Sequence, residues 1–431
     1  MRVLPFIHIT SENHLQLPLL YSLKQIMLPN KIQSRTSLNA RSVFETLTKF
    51  PLYHPTLISV LLVICRFRFL LVLLAACTIN HEELRGDDPN VSLMVSMKAH
   101  RGGVESIAFN PNGTSFCSGG RDGQLVWWNF GAIQRDCQRG IPPNPNVANW
   151  EMDRVGLGDR VLALDFDPQG NALAASGATH WGNGFGASAK LFTKIRKEPY
   201  GLGSASATWS YSCLSLSRDG NFVAMGALNS ELKLVRLGSK LGAKGGIVKD
   251  FINFTAPGIP SEVYAVDFHP TKPLLAVGGK GGWIRFYRID DRGLTFNPLA
   301  QEASHSASVR SLSFTANGKL LVSAGDDGKI CVFDTLTGAT LNTWAPVDAK
   351  PRELALHPKD NPWALVGYND NSSILLNFES GQILSKQTDH TESVEAVAFS
   401  LDGNFAATGG LDHAINLYDL GIKPAARKRR K

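Results

Sequence analysis

Three groups of polar residues along the chain combine a histidine, a hydroxyl residue and an aspartate in the same order. They are His100, Ser118 and Asp122; His305, Ser323 and Asp327; and His390, Thr408 and Asp412. A histidine paired with a carboxylate can act as a general base in catalysis. A catalytic pair, however, has no reason to recur at the spacing of a repeat. The recurrence therefore favours a structural role for these residues.

Each group lies in one copy of a repeat. A copy contains an alternating apolar strand, a turn, a small-residue corner and a second apolar strand. The apolar residue that closes the first strand marks seven copies, at Phe109, Phe166, Leu216, Phe268, Phe314, Leu356 and Phe399. The last three intervals are 46, 42 and 43 residues, and loop insertions lengthen the earlier ones to 57, 50 and 52. A period near 40 to 45 residues with four strands per unit is typical of β-propellers.

In these copies the chain resembles the WD40-repeat family over about residues 91–422. Copy one reads Ser118-Gly119-Gly120-Arg121-Asp122-Gly123 at the corner and Leu125-Val126-Trp127-Trp128-Asn129 in the next strand. Copies three and four depart from the pattern, because Asn229 and Gly281 stand at the aspartate position. The resemblance implies an all-β, seven-bladed propeller. It also implies that Val91–Met97 closes the ring as the outer strand of the last blade.

The resemblance gives the three polar groups a specific role. In the WD40 family a histidine before the first strand, a serine or threonine on the second, the turn aspartate and a tryptophan on the third form a hydrogen-bonded network. Here the tryptophan position holds Trp128, Phe333 and Tyr418 in copies one, five and seven. Phe333 has no side-chain donor, so the network of copy five must be shorter. A buried and fully paired network stabilises a blade.

The resemblance also indicates where a partner would bind. Such propellers often use the face formed by the turns that enter the innermost strands and the turns between the second and third strands. By position, this face carries Glu105, Arg121, Arg160, Glu262, Tyr264, Lys280, Arg310, Asp326, Arg352 and Glu395. The Gly-rich loop of copy two adds Trp181, which either anchors a partner or folds over its own blade. Mixed charges favour a protein or peptide partner over nucleic acid.

The charge distribution supports the same class of partner. The net charge of +7 has its source in the two ends of the chain. Without residues 1–80 and the basic tail, 30 basic and 35 acidic residues remain, which makes a broad phosphate-binding surface a poor expectation. No local motif of a hydrolase, metalloprotease or phosphate-binding loop is present, and no cofactor or metal is expected. Propeller enzymes gather residues from several blades, so an enzyme remains the alternative from another class. The oligomeric state stays open.

Residues 1–76 form a leader of a different composition. Leu74-Ala75-Ala76-Cys77 follows an apolar run and resembles the lipobox of bacterial lipoproteins. This resemblance implies acylation of Cys77, a linker over residues 77–90 and a membrane-anchored, extracytoplasmic propeller. Residues 57–76 could instead span a membrane, although Arg66 and Arg68 are costly there. If the leader is artefactual, the basic tail at residues 423–431 fits a cytoplasmic or nuclear scaffold subunit.

Overall fold

The computed structural model describes residues 89–140, 147–157, 160–178, 188–193, 196–204, 210–237, 252–290, 293–297, 305–359 and 361–422. Within these ranges the strands form seven four-stranded antiparallel sheets. The innermost strands of neighbouring sheets pack against one another around a complete ring. The fold is therefore a seven-bladed β-propeller, which confirms the fold class that the sequence predicts.

Blades one to three follow the order of the chain, from the innermost strand outward. Blade one contains β2 (Val104–Phe109), β3 (Ser115–Gly120), β4 (Gln124–Asn129) and β5 (Glu151–Gly156). Blade two contains β6 (Arg160–Phe166), β7 (Ala172–Ala178), β8 (Ser188–Thr193) and β9 (Arg196–Ser204). Blade three contains β10 (Tyr211–Leu216), β11 (Phe222–Ala227), β12 (Leu232–Arg236) and β13 (Ile252–Thr255).

Blades four to six repeat this order, and blade seven borrows a strand. Blade four contains β14 (Val263–Phe268), β15 (Leu274–Gly279), β16 (Ile284–Asp290) and β17 (Gly293–Asn297). Blade five contains β18 (Val309–Phe314), β19 (Leu320–Gly325), β20 (Ile330–Asp334) and β21 (Thr340–Trp344). Blade six contains β22 (Pro351–Leu356), β23 (Trp363–Tyr368), β24 (Ser373–Asn377) and β25 (Ile383–Gln387). Blade seven contains β26 (Val394–Phe399), β27 (Phe405–Gly410), β28 (Ala414–Asp419) and β1 (Ser92–Lys98).

The N-terminal strand β1 closes the ring. It pairs antiparallel with β28, from Ser92 opposite Asp419 to Lys98 opposite Ala414. Its bounds differ by one residue from the expected Val91–Met97. The innermost strand β2 packs between β6 and β26, so blade one has a neighbour on each side. With the ring closed, the third strand of blade seven, β28, is paired on both sides and exposes no free edge.

A small residue on the second strand of most blades lets the sheets approach closely. At Gly409, an added Cβ would lie 2.6 Å from Cγ1 of Val104 in the next blade. The same arrangement pairs Gly119 with Val161, Gly226 with Val263, Gly278 with Val309, and Gly367 with Val394. The small-residue corner of each repeat therefore follows from close packing between blades, because a larger side chain would overlap the next sheet.

The insertion after β4 contains a helix that the sequence reasoning did not predict. The helix α1 (Phe130–Gln138) begins directly after the strand, and the Asn129 side chain caps it by accepting the Ala132 N–H at 2.9 Å. Phe130 and Ile133 are buried, and the Phe130 ring meets Phe405 edge-on at 5.3 Å. A single turn of 3₁₀ helix follows at Val147–Asn149. None of the helices in the described ranges has the length and hydropathy of a membrane span.

Candidate functional site

The innermost strands all enter the ring at one face, which we call the upper face. Each of these strands has a β-bulge at its second or third residue, and the bulged positions are Glu105, Leu162, Ser212, Tyr264, Arg310, Arg352 and Glu395. A bulge redirects a side chain at the end of a strand. All seven residues line the mouth of the central channel, which has a volume of about 1010 Å³. Five of them belong to the predicted partner-binding set.

Glu105 holds two arginines from neighbouring blades. Its Oε1 accepts hydrogen bonds from Nε of Arg121, on the turn between β3 and β4, and from Nη2 of Arg160 at 2.5 Å. The Glu105 side chain is only 7% exposed, whereas those of Arg121 and Arg160 are 42% and 39% exposed. This carboxylate therefore orders two cations at the rim between blades one and two.

Arg310 lies between an aromatic ring and a carboxylate. Its guanidinium carbon is 4.8 Å from the centre of the Tyr264 ring, and its Nη2 is 2.6 Å from Oδ2 of Asp326. A guanidinium over an aromatic face gains a cation–π attraction in addition to its ion pair. The contact joins blade four to blade five and fixes both large side chains at the channel mouth.

Two further ion pairs complete the predicted set. Lys280 Nζ donates to Oε1 of Glu262 at 2.8 Å. This hydrogen bond is the main cause of the lowered pKa of Glu262. Arg352 Nε lies 3.5 Å from Oε1 of Glu395. The structure thus places ten of the predicted binding residues on one face and joins nine of them in five ion pairs, with Tyr264 against Arg310.

The predicted polar network of copy one lies directly behind this face. His100 Nδ1 is 3.0 Å from Asp122 Oδ1, His100 Nε2 is 2.8 Å from Ser118 Oγ, and Trp128 Nε1 donates to Ser118 Oγ at 2.8 Å. The carboxylate fixes the proton on Nδ1, so Nε2 accepts the Ser118 hydroxyl. Burial alone would raise the pKa of Asp122, but the hydrogen bonds from His100 and from the Arg101 backbone N–H hold it at about 2.

The other two groups have corresponding contacts. In copy five, His305 lies 2.9 Å from Asp327 and 2.7 Å from Ser323. In copy seven, His390 lies 3.1 Å from Asp412 and 2.8 Å from Thr408. Phe333 is buried and has no side-chain donor, and the Tyr418 hydroxyl donates to Asp389 at 3.0 Å.

These networks hold the turns of the upper face and do not face solvent. Ser118, Ser323 and Thr408 have no exposed surface, so none of these hydroxyls can reach a substrate. Asp122 and Asp327 directly follow Arg121 and Asp326, which stand at the rim. By tying each turn to the histidine that precedes the innermost strand, the network fixes the backbone that carries the rim side chains.

Sequence reasoning missed three carboxyl groups inside the channel. Asp165 accepts the Leu216 N–H at 2.7 Å, Asp267 accepts the Phe314 N–H at 2.8 Å, and Glu353 accepts the Val397 N–H at 2.7 Å. Each bond crosses from an even-numbered blade to the next blade. The available signal was an acidic residue inside an innermost strand that otherwise contains mainly small and apolar residues.

Burial in the channel wall changes the acidity of these carboxyls. It raises the pKa of Asp165 to about 7, that of Asp267 to about 6 and that of Glu353 to about 8. Repulsion from Asp267 adds to the effect at Asp165, and repulsion from Glu395 adds to it at Glu353. Each carboxyl therefore binds a proton more readily than an exposed one.

Two predicted positions, Trp181 and Cys77, lie outside the described residues. Among the residues that the structure describes, no group of three or more His, Cys, Asp or Glu side chains could hold a metal ion. The described part of the upper face therefore offers ion pairs, one aromatic ring and backbone turns.

Comparison with known proteins agrees with the architecture. The family model for the WD domain, G-beta repeat, matches residues 91–129, 253–288, 296–334 and 381–419, which are copies one, four, five and seven. The chain is 31% identical over 141 residues to the WD repeat-containing protein JIP5 of Phaeosphaeria nodorum, covering 29% of this chain and 32% of that protein.

Two other relatives are similar to this chain over 202 and 120 residues. The identity is 26% over 202 residues to Protein HIR1 of Aspergillus oryzae, covering 40% of this chain and 18% of that protein. The identity to Protein TOPLESS of Arabidopsis thaliana is 28% over 120 residues, covering 28% of this chain and 10% of that protein. The chain thus matches about a third or less of the length of these relatives. With four matching repeats set in a complete seven-bladed ring, this chain belongs to the WD40-repeat family.

Proposed function

We propose that the chain is a non-catalytic scaffold that binds a protein or peptide partner through its upper face. The observation that supports this proposal best is the ring of bulges, which gathers side chains from all seven blades around one mouth. Relatives with WD repeats fit a role in protein interaction. The assembled face is chemically diverse, as protein recognition requires.

The rim is organised before a partner arrives. Ion pairs hold Arg121, Arg160, Arg310 and Arg352 in defined positions, so binding costs less side-chain entropy than it would with free arginines. Tyr264 and Arg310 belong to the residue types that most often dominate binding energy at interfaces. Their stacked pair is therefore the proposed anchor.

A propeller enzyme is the competing function. The channel carboxyls are the groups that such an enzyme would use, since Asp165 and Glu353 have pKa values near neutrality. Each of them, however, already accepts a backbone N–H from the adjacent blade. This bond supports a structural role in holding neighbouring blades together.

The anchor can be tested with peptides selected from a random library on the full-length protein. We expect Tyr264→Ala/Arg310→Ala to weaken the selected peptides by at least about 2 kcal/mol, roughly 30-fold in Kd, because two anchor side chains are lost. Arg236→Ala/Arg288→Ala is the matched control, since both arginines are exposed at the opposite ends of the blades. Isothermal titration calorimetry measures the affinities. If the peptides bind the two double variants with equal affinity, the upper face is not the binding site.

Our proposal includes membrane anchoring through an acylated Cys77, which the lipobox-like sequence supports. Cys77→Ser removes the thiol that would accept lipid and leaves the preceding apolar run intact. We expect the unaltered protein to incorporate a labelled fatty acid and the variant to lose both the label and signal cleavage. An unaltered protein without label would instead favour a spanning anchor or, if it is also absent from membranes, an intracellular scaffold.

A further inference from the structure

We infer that the partner segment bound by the upper face is acidic, with aspartate or glutamate side chains that reach the rim cations. This inference rests on the proposed function and adds the chemistry of the partner. It starts from the order in which charges are layered at the rim.

In each of the five rim ion pairs, the cation is more exposed than its carboxylate. The side-chain exposures are 42% for Arg121 and 39% for Arg160 against 7% for their shared Glu105. They are 58% for Lys280 against 27% for Glu262, 32% for Arg310 against 12% for Asp326, and 30% for Arg352 against 19% for Glu395. The acids form an inner layer and the cations an outer layer.

This layering gives the face a polarity that a count of charges conceals. Nine charged residues nearly cancel in number, yet an approaching molecule meets the positive end of every pair first. Attraction between close charges depends on their separation and on solvent exposure, so the outer layer dominates contacts made at the rim. The cations belong to blades one, two, four, five and six, which suits an extended segment with several carboxylates.

The arginines also retain donors for such a segment. Arg121 bonds Glu105 through Nε, and within the described residues its two terminal NH₂ groups make no hydrogen bond. These groups can form a paired contact with one carboxylate, a geometry that guanidinium favours. Arg310 similarly directs Nε and Nη2 at Asp326, and among the described residues its other terminal nitrogen makes no hydrogen bond, so it can bind a partner.

The carboxyls deeper in the channel do not cancel this preference. Asp165 and Asp267 stand near the far ends of β6 and β14, away from the rim. Burial raises the pKa of Glu353, which lies nearest the rim of the three, to about 8, so this carboxyl is mainly neutral at pH 7. An acidic segment that lies across the mouth therefore meets cations without a strong opposing charge from below.

The test uses fluorescein-labelled peptides of alternating glutamate and glycine, with matched glutamine and lysine peptides. Fluorescence anisotropy with the full-length protein measures their Kd. We expect the glutamate peptide to bind more than about tenfold tighter than the glutamine peptide and to weaken about tenfold in Arg121→Gln/Arg310→Gln. The surface variant Lys280→Gln should weaken it by a smaller factor without affecting folding, because this side chain is more than half exposed.

A charge-matched variant separates the upper face from general attraction to the basic ends of the chain. Arg236→Gln/Arg288→Gln removes the same charge at the opposite ends of the blades, and we expect it to leave the Kd within about twofold. Equal weakening by both double variants would overturn the inference. The inference would also be overturned if binding of a thymidine oligonucleotide required Arg121 and Arg310 and binding of the glutamate peptide did not.

The outcomes also separate this inference from the proposed function. If the lysine peptide binds and its binding requires Arg310 and Tyr264, the inference of an acidic partner is wrong, but the upper face still binds peptides. If the library peptides bind Tyr264→Ala/Arg310→Ala with unchanged affinity, the upper face is not the binding site and the proposed function itself is wrong.

Discussion

A chain that lacks Ser92–Lys98 is expected to lose most of its stability. This segment, β1, is the partner of β28 along nearly its whole length, and it buries Val95 and Met97. Burial of each of these side chains contributes about 1.5–3 kcal/mol, and the deletion also leaves the β28 backbone groups unpaired. Domains are commonly stable by only about 5–15 kcal/mol, so the loss should be close to complete. Urea unfolding followed by circular dichroism measures it.

A point variant makes the same prediction without shortening the chain. Met97 is 2% exposed, and Met97→Ala should lower the free energy of unfolding by about 2–5 kcal/mol. Leu93 on the same strand is 44% exposed, and Leu93→Ala should change it by less than about 1 kcal/mol. Equal effects of the two variants would argue against closure of the ring by β1.

The stability of the propeller is expected to fall as the pH rises from about 5 to about 8, the interval between ordinary carboxyl pKa values and those of the channel. The pKa values of Asp165, Asp267 and Glu353 are raised in the folded state, so folding takes up protons in this range. Each carboxyl therefore contributes most below about pH 4, and its contribution is lost as the pH reaches its folded pKa. We expect the free energy of unfolding to fall by several kcal/mol over the interval, because each unit by which folding raises a carboxyl pKa corresponds to about 1.4 kcal/mol.

Amide variants identify the groups responsible. Glu353→Gln keeps a carbonyl that can accept the Val397 N–H but cannot ionise, so the variant should be more stable than the unaltered protein above about pH 8 and should show a shallower pH dependence. Glu379→Gln is the control, because Glu379 is exposed on the turn between β24 and β25. Urea unfolding at several pH values measures both. An unchanged slope in the Glu353 variant would assign the pH dependence to other groups.

At lower pH, the stability of the propeller is expected to rise with pH. Hydrogen bonds to Asp122 and Asp412 overcome the effect of burial and lower the pKa of both carboxyls. Their contribution is present above the ordinary carboxyl pKa and is lost as the pH falls toward about 2. The two sets of carboxyls together predict a stability maximum near pH 4 to 5, which the same unfolding series locates.

The blade count and the closing strand could be predicted because they depend on local patterns. Alternating apolar residues mark each strand, and β1 pairs with β28 as the outer strand of the last blade, as the resemblance implies. The positions of the rim residues followed from the same repeat, although the bulges that redirect Tyr264 and Arg310 have no distinct local signature.

Features that depend on contacts between distant segments were not predictable. Asn129 both ends β4 and caps α1, so no loop residue separates strand from helix as a signal. The carboxyl of Glu353 meets the Val397 N–H only after blades six and seven pack together. The exposure order of the rim ion pairs likewise exists only in the folded ring. The role of Trp181 and the acylation of Cys77 stay predictions.

Hydrogen exchange of the full-length protein, with and without a library-selected peptide, tests the central claim most directly. The scaffold account predicts slower exchange in the upper-face turns that carry Arg121, Glu262 and Asp326 when the peptide is bound. It also predicts unchanged exchange in α1, which packs at the opposite ends of the blades. Protection confined to α1 and the lower turns, with none at the rim, would contradict the account.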